Sequence, residues 1–312
     1  MRGRHTLEGL LVDPIGGAKT GALTIEDDLI VEVEYGDASD ERIVFPGFVD
    51  LHVYAPETLI ATGVTGYLQT AQRPVETTDP LCLGLHLEGP FLNPEAAGAL
   101  PVDDLLPVDL DLLDEWLDRG DVRLVTIAPE LDFARDAIRI VAERALAGVG
   151  HTLANAATAR AAVEAGARFA THLWNAMSPL KARETGPVAA LLLDERVTLG
   201  LLGDGRHLHP GVEALTVRAA GPGRIALTSD RVPLPAERPD GSLLGGNRVG
   251  APVVAHMARF GLAEAAAMSS LVPAQVLGLA DRGRLAPGYR ADIAVLSPEF
   301  GVIRTLAAGE DL

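Results

Sequence analysis

Residues 45–56 read FPGFVDLHVYAP. The run has the composition of a short buried strand, and it ends in the polar residue His52, two positions before Tyr54. Side chains two apart on a strand share a face, so a His-x-His at this end would present two imidazoles to one metal ion. Here the second position is a tyrosine. Either a metal position has been lost, or the chain takes its ligands from elsewhere.

Working outward, seven further β-rich runs follow the first: GVTGYLQTA, LCLGLHLEG, VRLVTIAP, GVGHTLA, RFATHLWNA, VTLGLLGDG and RIALTSD. Stretches of helical period lie between them, among them LDLLDEWLDRG, FARDAIRIVAERALAG and ATARAAVEAGA, each ending at or near a glycine suited to a C-cap. Strand and helix alternating eight times predict an α/β fold, a (β/α)8 barrel of the TIM type over residues 44–284. Residues 1–43 and 285–312 alternate apolar and polar residues instead, and they predict a small β-sandwich domain built from both chain ends.

With 312 residues and 48% hydrophobic content, the chain can bury a large core. A formal charge of −17 excludes nucleic acid and an anionic membrane surface as general partners, because the field of the whole molecule repels both. The N-terminus lacks a cleavable leader pattern and no apolar run reaches membrane-spanning length, so a cytoplasmic protein is expected. Cys82 is the single cysteine, which rules out an internal disulfide, and its apolar neighbours suggest packing rather than chemistry.

In a parallel barrel, chemistry gathers at the C-terminal ends of the strands. The polar residues ending these runs are His52, Glu88, His151, His172, Asp204 with His207, and Asp230. One such histidine is ordinarily a hydrogen-bonded packing residue; three of them with acids at successive strand ends form a ligand set. A catalytic divalent ion needs about three protein ligands, which Glu88, His151 and His172 supply. His52 remains a candidate for a second ion or for another role at the first strand end. Asp230 faces the same space, where a carboxylate can take a proton from an activated water and return it to a leaving group. The turns at Gly89-Pro90 and after His172 bring backbone amides to the same mouth, and Arg183 follows them in sequence.

Taken together, PGFVDLH, GLHLEGPFLNP, VTIAPE, GHTLANAATARAAVEAG, THLWNAMSPL, GDGRH, LTSD and GRLAPGYRADIAVL resemble the N-acetylglucosamine-6-phosphate deacetylase family of the amidohydrolase superfamily. The resemblance implies a hydrolase acting on a linear amide bond, usually a homodimer, that removes acetate from an N-acetyl amino sugar phosphate. It implies one divalent ion per chain at Glu88, His151 and His172, zinc first and Fe2+, Mn2+ or Co2+ as the other choices. It also implies a catalytic Asp230, sugar and phosphate contacts at Asn175, the Ala176 backbone and His207, and a phosphate contact at Arg183 reaching across a dimer interface. Two departures bear on the substrate. Leu100 stands where the family has the histidine of a Gly-x-His, and the loops after His52 and Asp230 are short. Another small N-acyl substrate, or a sugar-phosphate binding protein without turnover, are the competing expectations.

Overall fold

In the computed structural model, which describes residues 3–234 and 236–312, the chain opens with an antiparallel meander of β1 (Arg4–Asp13), β2 (Gly17–Glu26) and β3 (Leu29–Tyr35). In β1, Leu7, Gly9 and Leu11 are buried while Thr6 and Glu8 face solvent, the two-residue period of a half-buried strand. A short strand, β4 (Ile43–Pro46), pairs parallel with β1 and leads directly into the barrel.

The barrel strands are β5 (Phe48–Val53), β6 (Val64–Ala71), β7 (Cys82–Glu88), β8 (Val122–Ile127), β9 (Leu146–Val149), β10 (Phe169–Ala170), β11 (Thr198–Leu201) and β12 (Ile225–Leu227). They lie side by side in chain order, each parallel to the next. The eight runs read from the sequence are these eight strands. Between β12 and β5 no ladder runs, and the seam closes at its upper end. There the Ser229 N–H donates to Asp50 Oδ1 (3.2 Å), and the Tyr54 N–H donates to the Arg231 carbonyl (2.8 Å).

Five helices cross over between strands: α1 (Leu110–Asp118), α2 (Ala134–Ala142), α3 (Ala156–Ala165), α4 (Gly186–Leu193) and α5 (Pro210–Ala220). Asp109 and Asn155 cap α1 and α3, their side chains accepting the N–H groups of Leu112 and Thr158. α2 stops at Ala142, earlier than its sequence period suggests. Leu146–Val149 is claimed as β9 by pairing with β8 and β10, so sheet closure overrides local helical preference. After β12 come α6 (Ala251–Met257), α7 (Leu262–Ala266) and α8 (Val272–Val276), which the strand-helix count did not include. The chain then returns as β13 (Ile293–Leu296), β14 (Val302–Ala307) and β15 (Glu310–Asp311). β13 pairs with β4, so both chain ends meet in one seven-stranded sheet, ordered β15-β14-β13-β4-β1-β2-β3.

The barrel interior is stacked in layers, and the stacking positions the site. Lowest is an apolar plug that includes Val49, Leu51, Leu68, Leu124, Phe169 and Ala226. Above it His86 donates from Nδ1 to the Leu51 carbonyl (3.0 Å) and meets Thr126 Oγ1 through Nε2 (2.8 Å), while Thr126 meets Thr171 (2.7 Å). Burial, together with the charge on His52, pushes the His86 imidazole well below its ordinary pKa, in keeping with a neutral ring that spends both nitrogens on hydrogen bonds. The alternate strand residues, such as Val125, Ile127, Val149 and Ala170, point outward into the helix layer.

Candidate active site and metal centre

Glu88 ends β7 one step above that polar layer, on the same strand face as His86. Its carboxylate is divided. Oε1 faces His151 Nε2 at 3.0 Å and His172 Nε2 at 2.9 Å, and these two nitrogens lie 3.1 Å apart. Oε2 faces His52 Nε2 at 3.1 Å and accepts a short hydrogen bond from the Tyr54 hydroxyl. All of these groups except Tyr54, which is half-buried, are buried at the C-terminal mouth of the barrel.

The chemistry of this donor set fits a cation. His151 Nδ1 lies 2.8 Å from the Ala96 carbonyl, which can only accept, so Nδ1 carries a proton. In the neutral ring Nε2 is then a lone pair aimed at a carboxylate oxygen and at a second imidazole nitrogen. With His172 Nε2 unprotonated as well, the three electron-rich atoms, separated by 2.9 to 3.1 Å, would be drawn together by a positive centre among them. A tetrahedral ion with ligand bonds of about 2.0–2.1 Å needs its donors about 3.3 Å apart, close to this triangle. His52, Glu88 and His172 also bring ligand atoms within 4.8 Å of one another. The set containing His151 is tighter and shares one carboxylate oxygen, whereas His52 addresses the other oxygen and Asp230.

Asp230 lies just past β12, with Oδ1 3.3 Å from His52 Nε2. Burial raises its carboxyl, and the Glu88 charge adds to the rise against the pull of His52 and His172. Burial would lower the His52 imidazole, but Glu88 and Asp230 carry it up to about 9. For Glu88 burial is overcome by His52 and His151, which hold the carboxyl well below the usual range. Burial and the Glu88 charge push the Tyr54 phenol well above its ordinary value, so it stays a donor. The backbone is strained at the same place. Among the described residues, His151, His172, Trp174, Ala176 and Asp230 make up half of the ten non-glycine residues with positive φ. Backbone held so far from its comfortable range is a habit of functional sites.

These groups open into a cavity of about 490 Å³, the size of a small-molecule site. Asn175, Ala176 and His207 line it, as the sequence reading expects, together with Leu100. His207 Nδ1 donates to Asp204 Oδ2 (2.8 Å), leaving Nε2 as the atom available to a ligand. The Asn175 side chain donates to the His172 carbonyl (3.3 Å), tying the turn to the ligand loop. Arg183 is different: it is exposed on the loop before α4 and lies outside the cavity of its own chain.

Sequence reasoning missed the far wall, where Val232, Pro233, Leu243 and Leu244 line the same cavity as Glu88, His151 and His172. The Gly245-Gly246 pair was the available signal. A Cβ on Gly246 would meet the Ser229 carbonyl oxygen at 1.7 Å, so only glycine lets this segment reach the strand end and donate its N–H to the Asp230 carbonyl (2.7 Å). His86 was missed too, although a two-residue period from Glu88 points to it.

A family model described as amidohydrolase family matches residues 134–307, more than half of the chain. The chain belongs to the amidohydrolase family. Among its relatives within that family, the N-acetylglucosamine-6-phosphate deacetylase of Mus musculus is 30% identical, over 86% of this chain and 83% of the relative. The N-acetylgalactosamine-6-phosphate deacetylase of Escherichia coli O157:H7 is also 30% identical, over 92% and 93%. The structure of a Mycobacterium smegmatis N-acetyl-D-glucosamine-6-phosphate deacetylase variant, in complex with N-acetyl-D-glucosamine-6-phosphate, superposes with a TM-score of 0.92. The superposition covers 99% of each chain at 27% identity. The resemblance read from the motifs therefore extends along this amidohydrolase from end to end. Among its described residues no helix is long and apolar enough to cross a membrane.

Proposed function

We propose that this amidohydrolase is a metal-dependent deacetylase of N-acetyl amino sugar 6-phosphates, N-acetylglucosamine-6-phosphate first among them. The observation that carries the reading is the convergence of Glu88 Oε1, His151 Nε2 and His172 Nε2 beneath a cavity that also contains Asp230. A divalent ion held by these three residues supplies Lewis-acid polarisation of an amide carbonyl and a more acidic water. Asp230 takes the proton of the attacking water at its carboxylate and hands it to the amine as the C–N bond breaks. His52, between Asp230 and Glu88, orients the Asp230 carboxylate. His207 Nε2 and the Asn175–Ala176 turn hold the sugar, and the aliphatic wall keeps bulk water from the reacting carbonyl.

Zinc as the ion, one per chain, a cytoplasmic location and a homodimer belong to the same reading. The exposed position of Arg183, outside the lining of its own chain's cavity, supports the dimer, since from there its guanidinium is free to serve a phosphate in a neighbouring chain's cavity. Leu100 supports a second reading, another small N-acyl substrate, because a leucine offers the ligand no hydrogen bond where a histidine would.

The test is hydrolysis by zinc-loaded protein of N-acetylglucosamine-6-phosphate, N-acetylgalactosamine-6-phosphate, both unphosphorylated sugars and a set of N-acyl amino acids. The first reading expects kcat/KM at least tenfold higher for a phosphorylated sugar. Turnover of other N-acyl compounds alone would replace it with the second.

A further inference from the structure

We propose that Glu130 is a positioning residue whose carboxylate clamps the strained segment at His151 to the loop that orients its ring, and so aims the His151 imidazole. This rests on the reading of Glu88, His151 and His172 as the metal centre. Glu130 stands three residues past the end of β8, half-buried, and it does not line the cavity. Its partners are neutral donors on two other loops. Asn93 Nδ2 donates to Oε1 at 2.8 Å, and the Leu153 N–H donates to the same oxygen at 2.7 Å. Thr152 Oγ1 donates to Oε2 at 2.5 Å. One carboxylate therefore joins the loop after β7 to the loop after β9, and His151 is held from both sides.

The grip on the β9 side acts on the backbone. His151 has a φ of +47°, a conformation that a residue with a Cβ keeps only where its surroundings enforce it. Thr152 and Leu153, which follow it directly, are the residues that Glu130 holds. The grip on the β7 side acts on the ring. Asn93 Oδ1 accepts the Glu95 N–H (2.9 Å) and so caps the single helical turn Pro94–Ala96. The Ala96 carbonyl at the end of that turn accepts the His151 Nδ1 proton (2.8 Å), and the Asn93 N–H closes the circuit on the His151 carbonyl (3.1 Å). Backbone direction and ring rotation of His151 are thus both governed by one side chain from a third strand end. The same turn runs on into Gly98 and Leu100, and the Thr152 N–H donates to the Ala176 carbonyl (3.0 Å), so the clamp also steadies two parts of the cavity wall. Without the carboxylate His151 relaxes, and its Nε2 leaves its place 3.0 Å from Glu88 Oε1.

The experiment compares the parent with Glu130→Ala, Glu130→Gln and Asn93→Ala by zinc affinity from competitive chelation, the visible spectrum of the cobalt-loaded protein, and Tm. Glutamine keeps the length of the side chain, can accept from Asn93 and Leu153, and can donate to Thr152 Oγ1, so it should stay close to the parent. Glu130→Ala should lower zinc affinity about 10- to 100-fold, the usual cost of removing a group that orients a metal ligand, and alter the cobalt spectrum. Asn93→Ala frees only the turn that orients the ring; it should alter the spectrum too, with about a tenfold loss of affinity. A residue that only supports the fold would lower Tm and leave affinity and spectrum as in the parent. That result in Glu130→Ala, or a glutamine variant as impaired as the alanine one, would overturn the role given to Glu130 and leave the metal centre standing. A parent that binds no zinc would overturn both. If Glu130→Ala fails to fold, Asn93→Ala decides: an altered cobalt spectrum upholds the clamp, and a parent-like one overturns it.

Discussion

Replacing Asp230 by asparagine tests the chemistry most directly, because the structure isolates what is lost. Position 230 has a φ of +49°, a left-handed conformation in which asparagine is among the most comfortable residues other than glycine. The backbone can therefore stay as it is, including the hydrogen bond from the Gly246 N–H to the Asp230 carbonyl. The side-chain amide keeps the carboxylate's shape, and its oxygen can still face His52 Nε2 across 3.3 Å. Asp230 is also absent from the group around Glu88 Oε1, so metal content should not change. The remaining difference is that an amide cannot accept a proton. General acid-base catalysis contributes about 10²- to 10⁴-fold, or about 2.7 to 5.4 kcal/mol of barrier, so kcat should fall at least a hundredfold with little change in KM. Steady-state acetate release, with zinc content and Tm measured on the same preparation, reads the outcome. An asparagine variant retaining more than a tenth of parental kcat would remove Asp230 from proton transfer.

Arg183→Ala should raise KM for a phosphorylated sugar about tenfold or more and spare the unphosphorylated one; equal effects on both in steady-state kinetics would assign Arg183 a structural role. Burial would raise the Asp204 carboxyl, yet His207 and two backbone N–H groups hold it at about 2 against an ordinary 3.8. The folded pKa is depressed, so its stabilisation of about 2 kcal/mol is present above pH 3.8 and lost as pH falls toward 2. Denaturant titrations should therefore show Asp204→Asn less stable than the parent at pH 7, with the gap closing between about pH 4 and pH 2; a gap independent of pH would refute the linkage. Phe169→Ala empties the largest side chain of the plug beneath the site and should cost about 3–5 kcal/mol by the same assay. A loss under 1 kcal/mol would mean that the barrel interior collapses around the gap.

The eight strands and the gathering of Glu88, His151, His172 and Asp230 at one barrel mouth were readable in the sequence because each depends on local order. Periodicity shows which face a residue takes, and in a parallel barrel the strand end shows the direction of the chemistry. Other features are held by groups distant in the chain. The seam at Asp50 and Ser229 joins residues 179 apart in sequence, and it determines how His52 and Tyr54 are presented. β9 was taken from the end of a helical period because sheet closure requires a strand there. The aliphatic wall at Leu243 and Leu244 reaches the site because two glycines let the backbone approach, a fit visible only once both segments are in place. The division of the Glu88 carboxylate is the clearest case. Sequence can name a glutamate as a ligand, but which oxygen meets two imidazoles and which meets a phenol depends on contacts of about 3 Å among five strand ends. Such distances arise only when the barrel closes.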